Sequence, residues 1–276
     1  MTTPDIRLII SDIDGTILNS QHQVSKKLQA LMPLLQKRKI PFVLTSARSP
    51  KGMTAIADEL TLTAPLAAYN GAYIVEQTKK GSFTELFSRP LDFTEANKVI
   101  QLAVHSFPEV AVNIYSAAEW FVPTINKWVQ QEEAITEMTA KEVILQDFLS
   151  NQPSIHKLLF IGSDEDIAAL DAAIGRLVLM ESTKYRSKSN YLEFTDKTVS
   201  KELALRELAD YYQVAPNEVM AIGDHDNDLS MIAAAGFGVA MGNASEACKE
   251  KANLITVDND HDGAAVAISD ALQLEL

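Results

Sequence analysis

The stretch Leu8-Ile9-Ile10-Ser11-Asp12-Ile13-Asp14-Gly15-Thr16 decides the fold of this chain. Three apolar residues bounded by turn formers predict a short, fully buried strand of the kind that fills parallel sheets. Asp12 and Asp14 lie two apart in an extended segment, so both carboxylates share one face. Carboxylates that close repel unless a cation or a shared proton sits between them. A hard divalent cation suits such a pair, and Mg²⁺ in particular keeps few protein carboxylates and fills its shell with water or substrate oxygen. Gly15 lets the chain turn away tightly.

Strand and helix alternate outward from this segment. Val24, Leu28, Leu31, Met32 and Leu35 form a helical stripe. Residues 41–45 predict a second buried strand, followed by Ser46-Ala47-Arg48 and a helix over 50–60. A third strand over 65–69 ends in the turn dipeptide Asn70-Gly71, which favours a hairpin. The middle of the chain is mixed, with helices expected over 96–107, 140–149 and 166–177 and strands over 110–115, 155–161 and 178–185. The α/β rhythm then returns. A helix over 200–212 is capped by Ser200, a strand over 219–222 ends in Gly223-Asp224, and short strands over 237–240 and 254–257 flank a helix over 245–251. The expected fold class is α/β: a Rossmann-like parallel-sheet core formed by residues 1–82 and 190–276, interrupted by an inserted α+β domain over 83–189.

Ligands of open parallel sheets bind beyond the carboxyl ends of the strands. Three strand ends here carry polar clusters: Asp12/Asp14, Thr45/Ser46/Arg48 and Asp224/Asn227/Asp228. Lys201, at the start of a helix, is placed to reach the same point. Turn chemistry explains any one cluster, but hardly three on three strand ends.

The run Asp-Ile-Asp-Gly-Thr after an apolar strand resembles the first motif of the haloacid dehalogenase (HAD) superfamily. Ser46 stands at its Ser/Thr motif, Lys201 in Ser-Lys-Glu-Leu-Ala-Leu resembles its lysine motif, and 223–228 resembles its Gly-Asp-x-x-Asn-Asp motif. Asn70-Gly71-Ala72, Met241-Gly242-Asn243-Ala244 and Asp262-Gly263 are phrases typical of the Cof-type (HAD-IIB) branch, whose members carry a large C2-type cap where this chain has its inserted block. The resemblance implies phosphoryl chemistry. Asp12 is then the nucleophile and Asp14 the general acid and base. Mg²⁺ is expected on the Asp12 side chain, the Asp14 backbone carbonyl and Asp224. Ser46, Lys201 and Asn227 are expected at the phosphate, with Asp228 orienting Lys201 or metal-bound water. The cap is expected to close over the site and choose the leaving group. Arg48, Lys188 and Asn190 are candidate substrate contacts. The expected reaction is Mg²⁺-dependent hydrolysis of a small phosphate ester, a sugar phosphate first among them. A phosphomutase or phosphotransferase of the same fold, and a non-catalytic phospho-metabolite sensor, are the alternatives.

Composition narrows the partners. With 24 Lys+Arg against 37 Asp+Glu, the net charge of −13 repels nucleic acid and anionic lipid. An anionic substrate therefore needs a local cationic site. No apolar run approaches the roughly 18 residues of a membrane helix. The N-terminus lacks a basic segment followed by an apolar stretch, so the expectation is a cytoplasmic protein, monomer or homodimer. One cysteine, Cys248, excludes a disulfide framework and is read as a packing residue. Asp224, Asp226 and Asp228 mimic the opening of a Ca²⁺ loop, but Leu229 and Ala235 stand where that loop needs Gly and Glu. No Gly-Lys dipeptide exists, so there is no P-loop. His225 is read as a solvated loop residue, and Trp120 and Trp128 as core or substrate-facing. Ala47 replaces a glycine common at that point of the branch, and Asp226 adds charge beside the phosphate site.

Overall fold

A computed structural model describes residues 5–78 and 81–275. The chain runs β1 (Leu8–Ser11), α1 (Lys26–Arg38), β2 (Phe42–Thr45), α2 (Pro50–Glu59), β3 (Leu66–Ala68), β4 (Tyr73–Gln77) and β5 (Phe83–Ser88). It continues through α3 (Phe93–Ser106), β6 (Ala111–Ser116), β7 (Glu119–Val122), α4 (Lys127–Thr136), β8 (Lys141–Glu142), α5 (Leu145–Ser150), β9 (Ile155–Ile161), α6 (Asp164–Ile174), β10 (Ser182–Lys188) and β11 (Tyr191–Asp196). It closes with α7 (Lys201–Tyr212), β12 (Val219–Gly223), α8 (Leu229–Ala234), β13 (Phe237–Ala240), α9 (Glu246–Lys251), β14 (Leu254–Ile255) and α10 (Gly263–Leu272). Two compact units result: Met1–Phe87 with Ser200–Leu276, and Ser88–Val199.

The first unit is the expected α/β core. Its sheet has the order β14-β13-β12-β1-β2-β3-β4-β5. β14 through β3 pair parallel, and β4 turns back antiparallel on β3. Leu8 and Ile10 of β1, Val43 of β2 and Ala221 of β12 pack against Ala204, Leu205 and Leu208 of α7. Strand numbering reverses at β1: β2 lies on one side and β12 on the other. Such a switch point leaves a crevice at the strands' carboxyl ends.

The second unit has a sheet ordered β10-β11-β9-β6-β7-β8, antiparallel except for β7 beside β8. One face packs Val112, Ile114, Leu158, Phe160, Leu192 and Phe194 against Val99 and Ile100 of α3 and Ile167 and Leu170 of α6. Trp120 is a core residue of this unit, its Nε1 donating to Asn113 Oδ1 at 3.1 Å.

The boundaries differ from the expected 83 and 189. β5 is the edge strand of the eight-stranded sheet, and β11 lies between β10 and β9 in the other. Nothing within either strand says which sheet it joins, so only pairing assigns them to a unit. Lys141–Glu142 pairs parallel with β7, and α5 begins only at Leu145, which shortens the helix expected over 140–149. The strand expected from 178 starts at Ser182. The backbone N–H groups of Met180 and Glu181 donate instead to the Glu95 carboxylate in the first turn of α3, at 2.5 and 3.2 Å.

Candidate active site

Asp12 follows β1 directly, and its N–H donates to Ile222 O of β12 at 2.9 Å. The two acidic motifs thus meet at the switch point. Gly15 has φ +81°, and a Cβ there would stand 2.9 Å from Asp224 Cγ. Both the turn and the closeness of Asp224 therefore require glycine. Thr16 Oγ1 donates to Asp224 Oδ1 at 2.9 Å.

Lys201 is the first residue of α7. Ser200 caps this helix through its Oγ, which accepts from Leu203 N–H at 3.1 Å. The 69–71 turn comes close to this helix start. Gly71, φ +96°, would place a Cβ 2.8 Å from Ala204 Cβ, so a side chain there would push α7 away. The Lys201 ammonium is fully buried. It donates to Asp12 Oδ1 and, at 2.5 Å, to Asp228 Oδ1. Asp228 Oδ2 accepts from the N–H groups of Asp224 and His225, at 2.9 and 3.0 Å. Both oxygens of Asp228 are thereby occupied.

Burial alone would push the Lys201 ammonium down, but Asp12 and Asp228 reverse this and hold it above the ordinary lysine range. Burial pushes the Asp12 carboxyl up, opposed by Lys201 and reinforced by the charges of Asp228 and Asp224. Burial likewise pushes Asp224 up to about 6, opposed by the Thr16 hydroxyl. The site is short of positive charge.

Oxygens of Asp12, Asp224 and Asp228 lie within 4.8 Å of one another. The donors are all hard oxygens, which fits Mg²⁺ rather than a metal that prefers sulfur or imidazole. Asp228 Oδ2 already accepts two N–H groups and its Oδ1 the Lys201 ammonium, so the Asp12 and Asp224 carboxylates have more coordination to spare.

Asp14 is held differently. Arg48 Nε donates to its Oδ2 at 2.9 Å and Nη2 to its Oδ1 at 2.6 Å, a two-pronged ion pair. The hydrogen bond to Asp14 raises the Arg48 guanidinium further. In this conformation Arg48 holds a carboxylate rather than standing ready for a substrate. Ser46 is buried at the end of β2; its Oγ accepts from Arg48 N–H at 3.2 Å and its carbonyl from Asn70 N–H at 2.8 Å. Ala47 is not among the residues with positive φ, so its methyl is accommodated. Asn227 Nδ2 donates to Asn70 Oδ1 at 3.1 Å. Asp226 is exposed and accepts from Ser245 Oγ at 2.9 Å, and His225 is exposed.

The first unit therefore gathers Asp12, Asp14, Ser46, Arg48, Lys201, Asp224, Asn227 and Asp228. Lys188 and Asn190 lie in the second unit. Lys188 Nζ sits 4.4 Å over the Tyr191 ring, and Asn190 O accepts from Gly162 N–H at 3.3 Å. Lys184 pairs with Asp171, and β10 is a solvated edge strand. Sequence reasoning gave Thr16, Asn70 and Asn243 no individual role. All three stand in quoted motifs, which was the signal available.

A family model of haloacid dehalogenase-like hydrolases matches residues 9–268. A "putative phosphatase" of Haemophilus influenzae is 35% identical over 269 residues, covering 96% of this chain and 97% of that protein. The 5-amino-6-(5-phospho-D-ribitylamino)uracil phosphatase YcsE of Bacillus subtilis is 29% identical over 272 residues, covering 96% and 95%. The crystal structure of a haloacid dehalogenase-like hydrolase from Bacteroides thetaiotaomicron superposes with a TM-score of 0.84 at 30% identity, covering 96% and 99%. The chain belongs to the haloacid dehalogenase-like hydrolases. Within that family it is a Cof-type member, a phosphoric monoester hydrolase.

Proposed function

We propose that this hydrolase is a cytoplasmic, Mg²⁺-dependent phosphatase of small sugar or polyol phosphates, working through an aspartyl phosphate on Asp12. One observation carries the reading. The buried Lys201 ammonium orients Asp12 through Oδ1, leaving Oδ2 without a protein partner among the described residues. A nucleophile needs one oxygen held and the other free.

Asp12 Oδ2 attacks phosphorus in line, and the bond from phosphorus to the ester oxygen breaks. Asp14 gives its proton to the departing alkoxide. Water then attacks the aspartyl phosphate while Asp14 takes the water proton, releasing inorganic phosphate and restoring Asp12. Both Asp14 oxygens accept from Arg48 here, so Asp14 acts only after this pair parts. Lys201, Ser46 and Asn227 bind the non-bridging oxygens, where negative charge gathers. Asp12, Asp224 and the Asp14 carbonyl would hold Mg²⁺, which would supply charge neutralisation at the phosphoryl group. The net charge of −13 makes this local cationic set the means of attracting an anion. The phosphoribityl compound named for YcsE supports a polyol phosphate as the substrate class.

The test is phosphate release from sugar phosphates, polyol phosphates, nucleotides and flavin mononucleotide, with Mg²⁺, with chelator, and with Asp12→Asn. Release that needs Mg²⁺ and disappears in Asp12→Asn is expected. Release surviving Asp12→Asn refutes the mechanism, and an isomeric phosphate product in its place means a mutase.

A further inference from the structure

We propose that Asn243 is a positioning residue for the metal site, fixing the Asp224 carboxylate against the loop that follows Asp12. This rests on the reading of Asp12 and Asp224 as metal ligands.

Asn243 lies in the tight turn after β13, where Ala244 N–H donates to Met241 O at 2.9 Å. Its Nδ2 donates to Gly15 O at 2.9 Å and, on the same side, to Asp224 Oδ2 at 3.4 Å. Its Oδ1 accepts from Asn259 N–H at 3.1 Å. Asn259 Nδ2 in turn donates to Leu18 O at 2.9 Å. These partners allow one amide orientation: reversed, its oxygen would face two oxygens and its NH₂ a donor.

The geometry goes beyond a local turn cap. The partners lie 228, 19 and 16 residues away in sequence, so one side chain ties together the loop after β1, the end of β12 and the loop before α10. It also completes the hold on Asp224. Thr16 donates to Oδ1 and Asn243 to Oδ2, one donor on each oxygen. A carboxylate gripped on both oxygens has its remaining lone pairs fixed in direction, which is how partners behind a metal ligand set affinity. Asn243 holds Gly15 O as well, so the turn that follows Asp12 and Asp14 moves with Asp224 rather than independently.

The experiment titrates Mn²⁺ into the full-length chain and reads free Mn²⁺ by electron paramagnetic resonance, for wild type and Asn243→Ala, with thermal unfolding in chelator alongside. Asn243→Ala is expected to bind Mn²⁺ about 10–100-fold more weakly. Its metal-free unfolding temperature is expected to stay close to wild type. Saturating Mn²⁺ is expected to restore most phosphate release, a rescue that general structural damage does not allow. If Asn243→Ala does not fold, Asn243→Ser makes the same comparison, because a short hydroxyl cannot span both oxygens. Equal Mn²⁺ affinity in wild type and variant overturns the positioning role alone. Absence of Mn²⁺ binding by wild type overturns the metal reading and this inference with it.

Discussion

Replacing Lys201 with Met tests the centre of the site. The ammonium and the Asp228 side chain are fully buried, and Asp12 is nearly so. Met is of similar length and apolar, so little cavity forms and the main change is loss of charge. Two buried carboxylates then face each other without a cation. Breaking a buried pair by removing one partner costs about 3–5 kcal/mol, because the charge left behind is uncompensated. For a domain of this size each kcal/mol lowers the unfolding temperature by roughly 2–4 °C, so a fall on the order of 10 °C follows. The assay is thermal and urea unfolding, with chelator present so that no metal substitutes for the lysine. Asp228→Asn and the double variant complete a cycle. The double variant should be less destabilised than the sum of the singles by at least about 1 kcal/mol, as contacting charges require. Phosphate release by Lys201→Met should fall by about 100–1,000-fold with Mg²⁺ restored, the usual effect of losing a group that stabilises transition-state charge. A destabilisation under about 1 kcal/mol, or additivity in the cycle, would refute the argument that Lys201 is what lets Asp12 and Asp228 share a buried site.

Two further outcomes are expected. Asp14→Asn should lose about 100–10,000-fold in release from a sugar phosphate, whose alkoxide needs a proton, but far less with p-nitrophenyl phosphate, whose leaving group does not; equal losses on both would remove Asp14 from proton transfer. In the second unit, burial pushes the His156 imidazole from the ordinary 6.5 down to about 4. His156 Nδ1 accepts from Ala117 N–H at 3.1 Å, leaving Nε2–H to donate to Ser88 Oγ at 2.9 Å. The folded state therefore prefers the neutral ring. Its stabilisation is complete above pH 6.5 and is lost as pH falls from 6.5 towards 4, by up to about 3 kcal/mol. Urea midpoints of the second unit's transition should drop over that range and much less so in His156→Gln; parallel profiles would contradict the assignment.

Much of the core and its chemistry was legible in the sequence because the signals are local. An apolar run that stops at Asp-x-Asp-Gly names a buried strand, its end and the residues beyond it, all within nine positions. The same holds for Ser46 after β2 and Asp224 after β12. Ser200 as the cap of α7 also follows from its immediate neighbours, and the structure has it capping that helix. Other features had no local signal. Nothing within β5 or β11 says which sheet it joins, so the boundaries expected at 83 and 189 fall 5 and 10 residues short of the observed 88 and 199. Met180 and Glu181 look like strand until Glu95, 85 residues earlier, takes their N–H groups.

The side-chain pairings are likewise tertiary. That Arg48 closes on Asp14 depends on β2 lying beside β1. Lys201 reaches Asp12 across 189 residues because α7 packs beneath β1 with Gly71 making room. Asn243 reaches Gly15 across 228. Residue type and spacing determined which groups stand at the ends of the strands. Strand order and helix packing decided which of them touch, because a hydrogen bond tests position in space to within a few tenths of an ångström and periodicity along a chain carries no such information.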